Sequence, residues 1–114
     1  MTQVISTDGG RTWGEMSETP LAGSPPHFLK LKDGRILCSY GRRSTLHEMV
    51  TVSDDQGRTW DVANEIFISN GCDTDMGYPS TVQNADGTLL TMYYQKENPC
   101  EPPCLMATKW RLLR

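Results

Sequence analysis

Along this 114-residue chain, apolar positions come in short alternating runs broken by Gly, Pro, Asn and Asp, and no stretch keeps the spacing of an amphipathic helix. The runs read as strands at 27–32, 35–42, 47–53, 60–68, 78–84, 88–95 and 104–111. Shorter pieces, the end of a strand at Gln3–Ser6 and a strand around Trp13–Thr19, precede them. Two segments share one pattern, His27-Phe-Leu-Lys-Leu-Lys-Asp-Gly-Arg-Ile-Leu-Cys-Ser-Tyr40 and Ser80-Thr-Val-Gln-Asn-Ala-Asp-Gly-Thr-Leu-Leu-Thr-Met-Tyr93. Each predicts strand, turn, strand, with the turns at Asp33-Gly34 and Asp86-Gly87, because Asp-Gly between apolar runs is a hairpin signal. The fold class this predicts is all-β.

A second repeat sharpens the picture. The octapeptide Ser-x-Asp-x-Gly-x-Thr-Trp occurs at Ser6–Trp13 and, 47 residues later, at Ser53–Trp60. A period of that length signals a solenoid, propeller or array. Each position has a local use. Ser6, Asp8, Ser53 and Asp55 can bond to nearby backbone, Gly10 and Gly57 can take positive φ, and Thr12 and Thr59 start the outgoing strand. Trp13 and Trp60 supply apolar area to wedge under a neighbouring strand. Turn chemistry accounts for every position, so the two aspartates read as structural rather than catalytic or calcium-binding.

The octapeptide resembles the Asp box of the sialidase (neuraminidase) superfamily. That resemblance implies four-stranded antiparallel propeller blades of the six-bladed type, with the box joining the two outer strands. On this frame residues 1–20 hold outer strands and the first box, 25–69 form a complete blade with the second box, and 77–112 form the inner three strands of the next. About two blades result, whereas closed propellers have roughly four to eight. The chain is then either part of a longer propeller or a protomer that closes by association. Three copies would give six blades, with the N-terminal segment of one copy supplying the outer strand that 77–112 lacks, so a homotrimer is favoured among the oligomers.

Charge and cysteine content narrow the partners. A net charge of −3 and a pI near 5.2 argue against nucleic acid or an anionic membrane surface. No apolar run approaches the roughly 20 residues of a membrane-spanning helix. The N-terminus lacks the pattern of a signal peptide, so the default expectation is cytoplasmic, with secretion open for a longer parent. Cys38 reads as a small core residue, and Cys72, Cys100 and Cys104 as reduced thiols, with a local disulfide the alternative in a secreted protein. No second Cys/His pair stands at zinc spacing beside Cys100 and Cys104, so neither metal nor cofactor is expected.

Topology brings Ser24–His27, Arg42-Arg43, Asp73–Tyr78 and Gln95–Cys104 to one end of the sheets, opposite both boxes. The run Gly77-Tyr-Pro-Ser-Thr-Val-Gln-Asn-Ala-Asp-Gly-Thr-Leu-Leu-Thr-Met-Tyr-Tyr94 looks like the last blade of sialidase-superfamily proteins. By that resemblance Tyr78 would be the nucleophile that attacks the anomeric carbon, a neutral phenol suiting an anionic sugar. Arg42 and Arg43 would read the sugar's carboxylate, and Asp75 and His27 would line the site. The resemblance also implies three arginines, an acid Asp and an activating Glu; not all of these can be placed here, and strand 47–53 carries Glu48 and Met49 in place of an arginine. The plainer alternatives are a packed Tyr78, solvated arginines, and His27 and Asp75 as turn residues. Two functions follow: a sialidase-like glycoside hydrolase acting on terminal sugars, inactive as this chain alone, or a non-catalytic carbohydrate-binding or scaffolding module.

Overall fold

The computed structural model describes residues 1–114 and contains only β-strands and one short 3-10 turn. The strands are β1 (Thr2–Gln3), β2 (Ser17–Glu18), β3 (His27–Lys30), β4 (Ile36–Arg42), β5 (His47–Ser53), β6 (Ile66–Asn70), β7 (Gly77–Gln83), β8 (Leu89–Gln95) and β9 (Cys104–Trp110). They form a two-stranded ribbon β1-β2, a four-stranded sheet β3-β4-β5-β6 and a three-stranded sheet β7-β8-β9, all antiparallel.

Both Asp-Gly hairpins close the same way. Leu31 N–H donates to the Arg35 carbonyl and Gly34 N–H to that of Leu31, at 2.8 and 2.9 Å; Asn84, Thr88 and Gly87 repeat this in the second hairpin. Three residues therefore loop out, with Gly34 and Gly87 at φ of 94° and 83°, where a side chain would be strained.

The period-2 alternation of β4 and β5 assigns one set of side chains to each face of the central sheet. Leu37, Val50 and Val52 face the three-stranded sheet, where with Leu31 and Ile68 they bury Leu89 and Tyr93. Cys38, Tyr40, Met49 and Trp60 face the other way and close over Leu21. Each such fully buried apolar side chain contributes about 1.5–3 kcal/mol through removal of its surface from water. Between the sheets a file of hydroxyls is fully paired: Ser39 Oγ lies 2.6 Å from Thr81 Oγ1, which lies 2.9 Å from Thr91 Oγ1.

Four expectations need correction. The strand read at 60–68 is Ile66–Asn70, because after the box Asp61 N–H bonds back to Val52 and the chain makes a 3-10 turn at Val62–Asn64. Thr12 and Thr59 thus do not begin strands; they bond to the box aspartates instead. The N-terminal pieces shrink to Thr2–Gln3 and Ser17–Glu18. Trp13 is not wedged under anything and is 62 % exposed, whereas Trp60 is 8 % exposed.

Candidate functional site

The end of the sheets opposite the boxes is held together by hydrogen bonds to backbone carbonyls. Ser24 N–H donates to Gly41 O at 2.9 Å, Gly71 N–H to Leu46 O at 2.8 Å, and Cys72 Sγ to Lys96 O at 3.3 Å. Arg43 lies across this junction. Its Nη1 donates to Ser24 O at 3.0 Å and its Nε to Thr74 O at 3.3 Å, which leaves guanidinium surface over the ring of Tyr78, 5.9 Å from its centroid. A cation over an aromatic face in this range is attracted by the ring quadrupole.

Tyr78 opens β7 in an unusual way. It has φ of +54°, follows Gly77 at +129°, and coincides with a register shift between Gly77 and Ser80 against β8. A non-glycine residue in that region is held there by its surroundings. The result turns the ring outward, 64 % exposed, with Tyr94 tilted beside it at 5.9 Å.

The remaining predicted residues are placed as follows. Arg42 sits on the opposite face of β4 from the Arg43–Tyr78 pair, stacked over Tyr40. Its Nη2 meets Glu65 Oε1 at 2.5 Å and its Nε donates to Ala22 O at 2.9 Å. Tyr40 OH donates to the same carboxylate. Burial favours the neutral acid at Glu65, but the bonds from Arg42 and Tyr40 outweigh it and hold the carboxyl below its ordinary range. Asp75 and Asp73 each lie 3.2 Å from Lys96 Nζ, and these bonds raise the lysine. His27 joins the two larger sheets: Thr81 N–H donates to Nδ1 at 3.3 Å, which leaves the proton of a neutral ring on Nε2, 3.3 Å from Ser80 Oγ. The structure therefore gathers Arg43 and Tyr78, sets Asp75 in an ion-paired loop nearby, uses His27 as a clasp, and removes Arg42 to a buried-edge ion pair.

Three neighbours were not singled out as site residues by the sequence reading: Tyr94, Lys96 and Glu48. Glu48 had a visible signal, an acid in the apolar phase of a strand that continues to Val50 and Val52. Lys96 lies within the Gln95–Cys104 segment that topology brings to this end, and Tyr94 is placed by the register alone. The clefts of about 340 and 280 Å³ lie elsewhere, one toward the box end beside Arg35 and Arg114, the other between the ribbon and Trp60. The Arg43–Tyr78 cluster is an open surface.

The boxes themselves are complete turns. In the second, Ser53 Oγ bonds Asp55 Oδ1 at 2.8 Å and accepts Gly57 N–H at 2.8 Å; Asp55 takes Thr59 N–H at 2.8 Å and Thr59 Oγ1–H at 2.6 Å. The first repeats this among Ser6, Asp8, Gly10 and Thr12, with Arg11 N–H added. Bonds from Thr12 and Thr59 pull Asp8 and Asp55 down to about 2. Trp60 stacks on Phe28 at 5.7 Å and donates Nε1–H to Gln3, whose amide in turn donates to Gly57 O.

Repeated antiparallel sheets stapled by Ser-Asp-Gly-Thr-Trp turns define a class of all-β repeat proteins. Within that class the chain belongs to the BNR repeat-like domain family, whose sequence profile matches residues 1–91. It is also similar to a crystal structure of a protein of unknown function from Dyadobacter fermentans DSM 18053, at 28 % identity and a TM-score of 0.82. That match covers 97 % of this chain and 31 % of the other, so the chain spans about a third of its structural relative. A comparison with curated proteins finds no match.

Proposed function

We propose that the chain is a section of a sialidase-like six-bladed β-propeller and that its Arg43–Tyr78 end contacts terminal sugars. The observation that carries this reading is the exposed, backbone-strained Tyr78 with a guanidinium held over its ring. A flat aromatic face suits the apolar side of a pyranose, and a planar cation beside it suits a carboxylate. Membership of the BNR repeat-like family and the two formed boxes support the architecture.

The same geometry favours binding over hydrolysis for this chain. A phenol nucleophile needs a base within about 3 Å. Near Tyr78 the carboxylates are Asp75, tied to Lys96, and Glu48, which is fully buried. The test is thermal denaturation with N-acetylneuraminic acid, beside an assay with a fluorogenic sialoside. The expected result is a sugar-dependent rise in Tm that Arg43→Ala abolishes, with no turnover. Turnover lost in Tyr78→Phe would establish the hydrolase instead, and a rise in Tm indifferent to Arg43→Ala would remove the site.

The lateral surfaces fit the larger ring. The three-stranded sheet leaves Val82, Met92 and Leu105 exposed, and the N-terminal end exposes Val4, Trp13 and Met16. Further blades, from a longer chain or from two more copies, would cover them.

A further inference from the structure

Glu48 is the only buried residue that carries a charge in its ordinary state, and it has no partner. None of its surface is exposed, and neither Oε1 nor Oε2 accepts a hydrogen bond. Buried polar atoms in folded proteins are nearly always bonded, so a bare carboxyl requires a reason. Alternation along β5 points it the same way as Val50 and Val52, into the seam between the two larger sheets.

Two glycines make the room. A Cβ on Gly41, the register partner of Glu48 on β4, would stand 3.5 Å from Glu48 Oε2 and 3.2 Å from the Gly77 Cα. A Cβ on Gly77 would stand 2.9 Å from Arg43 Nη2. The carboxyl and the guanidinium thus flank one pair of side-chain-free residues, and the next residue is the strained Tyr78. Among charged groups, Arg43 is the one whose field acts on Glu48. From β6 its neighbour is Ser69, which bonds Gln95 of β8, and from β7 it is Gly77; none of the three ionises. Lys96, Asp73 and Asp75 are paired with one another on the outer loops, and His27 of β3 is bonded to β7.

We propose that Glu48 is a positioning residue for Arg43, drawing the guanidinium inward off Tyr78 when ionised and leaving it to the ring and its ligand when protonated. Arg43 is free to respond because its hydrogen bonds here go to the carbonyls of Ser24 and Thr74 and to no side-chain acid. Burial raises Glu48 to about 7 against the pull of Arg43, which puts the change of state near neutral pH. The consequence for ligand rests on the sugar-binding reading; the movement of Arg43 over Tyr78 does not.

The experiment follows the ring carbons of Tyr78 by NMR in the full chain from pH 5.5 to 8.5, with sugar affinity measured at pH 6 and 8. Wild type should show a one-proton transition near pH 7, well below tyrosine ionisation, and Glu48→Gln and Glu48→Met should both abolish it. Affinity for N-acetylneuraminic acid should fall about tenfold from pH 6 to pH 8, the factor that one pKa unit of coupling represents. Glu48→Gln should keep the pH 6 value throughout. A flat Tyr78 profile in wild type, or a transition that survives both substitutions, overturns the inference. Should no sugar bind at either pH, the functional reading falls, and the pH profile of the Tyr78 ring signals alone still decides the role of Glu48.

Discussion

Trp13 and Trp60 close the same octapeptide, yet one is 62 % exposed and the other 8 %. The difference lies in what surrounds them. Trp60 has Phe28 to stack on and Gln3 to accept its N–H, while Trp13 has neither kind of partner. Trp60→Ala should therefore cost about 3–5 kcal/mol, and Trp13→Ala should stay within about 0.5 kcal/mol, both read from urea midpoints at constant m. Titration gives a second prediction. Asp8 and Asp55 have folded pKa values lowered to about 2, so their contribution is present above the ordinary 3.8 and is lost as pH falls below it. Glu48 has its folded value raised from 4.5 to about 7, so its stabilising share is present below 4.5 and is lost as pH rises to 7. Stability should peak between about pH 4 and 5, and Glu48→Gln should remove the decline above it, a gain of up to roughly 3 kcal/mol at pH 8. An unchanged slope in that variant would show that the carboxyl is solvated.

At the scale of elements, six of the seven longer strands read from alternation are found within two residues of their expected bounds, and the one read at 60–68 is not. Hairpins were legible because Asp-Gly fixes the chain locally: Asp33 and Asp86 each accept the backbone N–H two residues on, at 3.0 Å. Replacing Gly34 or Gly87 by Ala puts a Cβ at positive φ and should cost about 1–2 kcal/mol, measurable by thermal denaturation. The outer strand after the box was misplaced because its start depends on a 3-10 turn held by Asp61, and no apolar period announces such a turn. Candidate site residues fared unevenly for a related reason. Sequence puts Arg42 and Arg43 side by side, but successive residues leave a strand on opposite faces, so one joins Glu65 and the other Tyr78.

For the molecule as a whole, the two sides of the three-stranded sheet differ in cover. Leu37 of β4 is fully buried against one, while Met92 and Leu105, which face outward from β8 and β9, have no such cover. Light scattering after size exclusion should give a mass near three times 12.8 kDa if copies supply that cover. A monomeric mass would assign the cover to a longer chain, in keeping with a structural relative of which this chain matches 31 %.

The two repeats are not in step. Glu18 precedes His27 by nine residues, whereas Phe67, which pairs with β5 as Glu18 pairs with β1, precedes Ser80 by thirteen. The hairpin and box motifs have the same length in both copies while the connection through Gly71–Met76 is the longer one, and that connection holds Thr74, Asp73 and Asp75 against the candidate site. Such a scaffold separates what must be copied faithfully from what is free to vary. New recognition can be written into the connection by insertion, and the hairpin amides should keep their hydrogen-exchange protection while the specificity of the face changes.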